Sequence, residues 1–139
     1  MEEGITTKIL GPKDCAIGFG IPINKESLDK RLKSDIYRED FYNTFCKVDK
    51  RLAYQEYVKQ VITTANRVIP QLEKLGVTVE TNLTLNKLGT LYNKDISVVI
   101  LFSHCIDNSI VEFSDVLATS DEIVKQIPDN RCVILDLCV

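Results

Sequence analysis

The sequence has no apolar run longer than Val98–Phe102, far short of the roughly 20 residues a helix needs to cross a bilayer. Its start, MEEGITTK, lacks the positive n-region and apolar h-region of a secretory signal. No membrane association is expected, and a cytoplasmic setting is. Basic residues are not in excess: 17 Lys and Arg face 20 Asp and Glu, for a formal net charge of -3. The two signs are interspersed, so no basic face for a phosphate backbone emerges and nucleic acid is not an expected partner. There is no CxxC pair, and the five cysteines are odd in number and cannot all pair within one chain. Reduced thiols follow. No repeat, low-complexity stretch or linker interrupts the chain, and 139 residues with 45% apolar composition suffice for one core. Residues 1–139 are therefore expected to form a single domain.

What is present is periodicity. DCAIGFGIPI, from Asp14 to Ile23, is short and apolar, with Gly18 and Gly20 near its end, which suits a buried strand entering a loop. The charged stretch that follows carries Leu28 and Leu32 at helical spacing, with Asn24 able to cap; helix, loop or both are compatible with it. From Ala53 to Leu75, apolar residues including Tyr57, Val61, Ala65, Val68 and Leu72 recur every three or four positions. That spacing predicts an amphipathic helix. Pro70 is expected to kink its last turns and Gly76 to stop it.

Further on, VTVETNL alternates as a strand and TLNKLGTLY reads as a short helix capped by Thr84. ISVVILF is apolar on both faces, as a central strand of a parallel sheet must be. A helix is expected from Ser120 to Gln126, with Ser120 as its cap, and CVILDL is expected as a second buried strand. The stretch IDNSIVEFSD, with Asp107, Glu112 and Asp115, reads as a solvated loop. Strand and helix alternate throughout, which predicts an α/β fold with a mainly parallel sheet of about four strands flanked by helices.

The one histidine, His104, ends the strand VVILFSH, with Cys105 beside it, and Cys138 ends the strand CVILDLC. Ligands of open parallel sheets bind outside the carboxyl ends of the strands, and strands consecutive in sequence are often neighbours. A histidine and a cysteine on one rim have the geometry of a thiol nucleophile and its general base. Cys15, Cys46 and Cys132 are expected to be small structural hydrophobes.

VVILFSH and VILDLC resemble the two active-site blocks of the caspase-like cysteine peptidases, the group of caspases, metacaspases, gingipains and CHAT-domain proteins. An early strand, a long helix, a strand opening with Gly76-Val77 and a Thr-capped short helix extend the likeness over nearly the whole chain. The resemblance implies a caspase-like α/β fold and peptidase chemistry on a peptide or protein substrate, without a cofactor or metal. It implies Cys138 as nucleophile, His104 as base, and the backbone N–H groups of Cys105 and Cys138 as oxyanion donors. Cys105 stands where the family has glycine. Asp136 would occupy the pocket for the residue before the cut bond, implying a preference for Lys or Arg there. The family's later strands lie beyond Val139, so the likeness is to a large-subunit portion truncated after the nucleophile strand, completed by a C-terminal partner chain or by self-association. Two other classes fit the residues: a non-catalytic interaction or oligomerisation module, and a redox or zinc site of His104, Cys105 and Cys138.

Overall fold

A computed structural model of the chain describes residues 9–45, 49–92, 95–106, 110–129 and 131–138, without the side chains at 44, 45 and 135–138. After a short 3-10 turn, Pro12–Asp14, strand β1 (Cys15–Phe19) leads into helices α1 (Lys25–Arg31) and α2 (Asp35–Phe45). The long amphipathic helix is built from α3 (Lys50–Tyr57), a π-helical turn (Val58–Ile62) and α4 (Thr63–Lys74). Strand β2 (Thr78–Glu80), helix α5 (Leu85–Leu91) and strand β3 (Val98–Ile106) follow. Two short strands, β4 (Ile110–Glu112) and β5 (Leu117–Thr119), precede α6 (Ser120–Val124) and β6 (Cys132–Cys138).

The helix ends obey local chemistry. Asn24 accepts a hydrogen bond from the Ser27 N–H at 2.8 Å, and Thr84 accepts one from the Lys87 N–H at 3.2 Å, each satisfying a donor the first helical turn leaves orphaned. At α6 the cap is Thr119, not Ser120. Thr119 and Glu122 exchange hydrogen bonds in a capping box, a reciprocal pairing that Ser120 could not make with the same glutamate. The long helix stops as expected at Gly76, whose φ of 97° is left-handed. There the Gly76 N–H donates to Glu73 O and the Val77 N–H to Leu72 O, the paired bonds of a Schellman end. Pro70 lies within α4, which continues past it to Lys74.

The expected α/β class holds, but the sheet is mixed and has six strands among the described residues, not about four. β1 pairs parallel with β2 and with β3, and β6 pairs parallel with β3 from Val98 opposite Cys132 to His104 opposite Cys138. Two antiparallel pairs, β3 with β4 and β4 with β5, make up the rest. The stretch expected as a solvated loop thus contains β4, the first strand of a hairpin that β5 completes. The two hairpin strands have three residues each, too short for alternation to distinguish them from loop.

Both faces of β1 and β3 are covered, which their apolar composition requires, whereas β6, expected to be buried as well, leaves Cys132 and Ile134 exposed and packs Val133 against the core. On one face Ala16, Val99 and Leu101 pack with Leu88, Leu91, Tyr92, Phe113 and Ile123. On the other, Ile17, Phe19, Ile100 and Phe102 pack with Ile23, Ala65, Ile69 and Leu72, and the Phe19 and Phe102 rings stack at 5.5 Å. Helices α1, α2 and α3 share a separate aromatic core of Leu28, Tyr37, Phe41, Ala53 and Tyr57.

Tyr92 ties α5 to the start of β6 by donating its hydroxyl to Cys132 O at 2.7 Å, and burial pushes its phenol up to about 12. Tyr92→Phe is expected to lower unfolding free energy by about 1 kcal/mol at neutral pH. Because the folded value is raised, the protonated phenol's contribution is complete below the ordinary tyrosine value near 10 and fades as pH rises through about 12. Urea unfolding at pH 7 and above pH 10 checks both: the variant starts lower and lacks Tyr92's share of the alkaline decline.

Candidate functional site

Along β3, alternation places Ile100, Phe102 and His104 on the face that α4 covers. Where Ile100 and Phe102 meet apolar side chains, His104 meets a carboxylate: its Nε2 lies 2.6 Å from Asp40 Oδ2 of α2. A carboxylate oxygen accepts and does not donate, so Nε2 carries the proton. The pair is sheltered, with side chains 14% and 26% exposed. Asp40 is held in place by the helix that carries it. Tyr37 and Phe41 anchor α2 in the aromatic core, and Asp40, three residues after Tyr37, stands on the margin of that buried stripe.

Cys138 is the Cα partner of His104 across the β3–β6 ladder, and Asp136 is the Cα partner of Phe102. Register partners on neighbouring strands belong to the same face of a sheet, so positions 104, 136 and 138 share one face at the carboxyl end of two adjacent parallel strands. The side chains of Asp136 and Cys138 lie outside the described residues.

Cys105 alternates to the opposite face and is the Cα partner of Val111 in the antiparallel ladder. It is half-buried. A disulfide or shared metal between positions 105 and 138 would need side chains from opposite faces of the sheet to meet, which works against the redox and zinc alternatives. Among the described residues, no three His, Cys, Asp or Glu side chains gather as a metal site. Cys15 is half-buried, with its thiol 3.5 Å from Gly11 O. Cys132 is exposed, not the buried hydrophobe expected of a strand cysteine, because it opens the strand. Cys46 and Asp107 lie outside the described residues.

A knot of polar groups backs the rim on the other side. Glu112 is 0% exposed and its Oε2 accepts from Arg31 Nη1 of α1. The same guanidinium nitrogen donates to Gly20 O at 3.0 Å, while the Gly20 N–H donates to Phe102 O at 2.9 Å. Ser103 Oγ donates to Glu112 O. The guanidinium also sits 5.8 Å from the centre of the Tyr37 ring, a cation–π distance. Burial lowers the Arg31 pKa, while Tyr37, Tyr57 and Asp115 oppose that shift, and burial raises the Tyr37 phenol. Residues 102 and 103, which carry the chain into His104, are therefore clamped from α1 and β4 together.

Sequence reasoning missed Asp40, Arg31 and Glu112. Asp40 and Arg31 sit in a stretch so rich in charge that no single residue stands out, and Glu112 falls in a stretch that reads as a solvated loop. An arginine directly before a helix end and a glutamate within an apolar IVEF run were the available signals. No helix among the described residues is long and apolar enough to cross a membrane. Compared with models of known families and with curated protein sequences, the chain matches none.

Proposed function

We propose that this chain is the catalytic, large-subunit-like portion of a caspase-like or CHAT-type cysteine peptidase, with Cys138 as nucleophile and His104 as general base. The observation that carries the proposal is the register of β3 and β6, in which residue 104 is the direct partner of residue 138 at the carboxyl end of two parallel strands. His104 takes the thiol proton, and the thiolate adds to the substrate carbonyl. Backbone N–H groups of Cys138 and Cys105 stabilise the oxyanion. Collapse breaks the C–N bond, and the imidazolium protonates the departing amine. A thioester on Cys138 remains. His104 then deprotonates a water molecule, which adds to the thioester, and the carboxylic acid leaves as the thiol reforms. Asp136, on the same face two residues before the nucleophile, attracts a Lys or Arg side chain preceding the cut bond.

A panel of fluorogenic peptides differing only in the residue before the reporter tests this. Cleavage is expected after Lys and Arg, absent from Cys138→Ala and His104→Ala, and stripped of its basic preference in Asp136→Asn. Equal activity in wild type and Cys138→Ala would overturn the assignment.

One observation favours a second reading, an interaction module that binds a partner chain or a copy of itself. Ile134 on β6 is 52% exposed, and among the described residues β6 is hydrogen-bonded as a strand to β3 alone, so its other edge can accept a strand. Sedimentation of wild type and Cys138→Ala distinguishes the two: assembly without any peptidase activity favours the module.

A further inference from the structure

The Nε2–H of His104 is committed to Asp40 Oδ2 at 2.6 Å, and this fixes which edge of the ring can act as a base. We infer that Asp40 is a positioning residue that holds His104 as its Nε2–H tautomer, so that Nδ1 is the atom that exchanges protons with the Cys138 thiol. The inference rests on the peptidase reading for the part Cys138 plays, while the His104–Asp40 contact from which it starts joins two described side chains.

A neutral imidazole carries one proton, and in water the two tautomers interconvert freely. A carboxylate at hydrogen-bond distance from Nε2 selects the form with the proton there, because the alternative would set a ring lone pair against an anionic oxygen. The proton cannot be ambiguous in such a pair. When Nδ1 takes the thiol proton, the ring becomes an imidazolium whose second N–H already points at a carboxylate. Asp40 thus stabilises the charged form and shares the ring's positive charge, while the electron pair left on sulfur forms the new bond to the carbonyl carbon. When the amine departs it takes its proton from Nδ1, and the ring returns to its Nε2–H form. Nothing else is consumed.

The location of Asp40 supports a positioning role over an incidental surface contact. Both side chains are mostly shielded from water, where a charge-assisted hydrogen bond is stronger than an exposed one. Asp40 comes from α2, 64 residues away in sequence, and α2 is anchored on either side of it by Tyr37 and Phe41, which are 5% and 2% exposed. The carboxylate is therefore held by a packed helix and not by a loop.

Because His104 is the chain's one histidine, its ring nitrogens can be read without ambiguity by 15N NMR. In wild type, at a pH where the ring is neutral, the spectrum is expected to show a protonated Nε2 and a bare Nδ1. In Asp40→Asn, a change of nearly identical shape, the amide can present N–H to Nε2 and the proton moves toward Nδ1. In Asp40→Ala the two tautomers mix. Peptide cleavage by Asp40→Asn should then fall by about 10³–10⁴-fold in kcat with KM little changed, the effect expected of a wrong tautomer, and Asp40→Glu should recover part of it. Unchanged ring signals in both Asp40→Asn and Asp40→Ala would overturn the inference, whatever the activity. Shifted ring signals with no cleavage by any form, wild type included, would uphold Asp40 as the positioning residue and reject the peptidase reading.

Discussion

Glu112→Leu lowers the unfolding free energy by about 3–5 kcal/mol, the range expected when one member of a buried ion pair is removed and the other is left charged. Glu112 is fully buried, and the Arg31 side chain that meets it is 12% exposed. The carboxylate neutralises a guanidinium that has lost most of its water. Without it, Arg31 keeps its bond to Gly20 O but no buried counter-charge. The companion expectation is sharper. Glu112 Oε1 is buried with no hydrogen-bond partner among the described residues, so the pair itself is imperfectly satisfied and its net value is small. The double variant Arg31→Met with Glu112→Leu should therefore recover most of the loss, because two apolar side chains need no counter-charge. Urea unfolding of wild type, both single variants and the double variant measures the coupling. Equal losses in the single and double variants would mean that the pair is not what holds this corner.

Gly20→Ala is expected to cost about 3 kcal/mol, the upper end of what an overpacked methyl does. A Cβ at residue 20 would stand 2.2 Å from Glu112 O and 3.0 Å from Ser103 Oγ. The first of these is backbone, and it can retreat only if β4 moves. Gly18→Ala is the control. Its Cβ would meet Leu83 Cδ2 at 2.6 Å, the end of a flexible side chain, so a loss of about 1 kcal/mol is expected after repacking. Because Gly20 donates to Phe102 O and Ser103 bonds Glu112 O, the displacement also reaches His104 next along the chain. Gly20→Ala should weaken the reactivity of Cys138, and Gly18→Ala should not. Denaturation midpoints combined with thiol reactivity separate the two variants.

The elements legible in the sequence are those whose chemistry is local. The apolar runs at 98–102 and 132–135 read as strands, although only the first is buried on both faces while Cys132 and Ile134 of the second are exposed, and Asn24, Thr84 and Gly76 announce helix ends because a cap depends on residues three or four positions away. The same locality explains the misplaced cap at Ser120: Thr119 is equally suited as a residue type, and the glutamate at 122 decides between them. The β4–β5 hairpin escaped because two three-residue strands carry too little alternation, and because a glutamate inside one of them looks solvated until Arg31 is known to lie against it. At the site, the strand ends carrying His104 and Cys138 could be read from the runs that precede them. Asp40 could not, since its partner is 64 positions away and nothing in a run of alternating charges distinguishes a carboxylate that meets a histidine from one that meets water.

The register of β3 and β6 carries functional weight only if His104 activates Cys138, and competitive alkylation measures that directly. With limiting iodoacetamide at neutral pH, peptide mapping ranks the five cysteines by rate. Cys132 is the stringent control because it is exposed, so accessibility alone would make it react early. An activated thiolate at Cys138 should react faster than Cys132 by on the order of tenfold, and His104→Ala should erase that advantage. A ranking led by Cys132, with Cys138 slow and indifferent to His104→Ala, would contradict the proposed dyad.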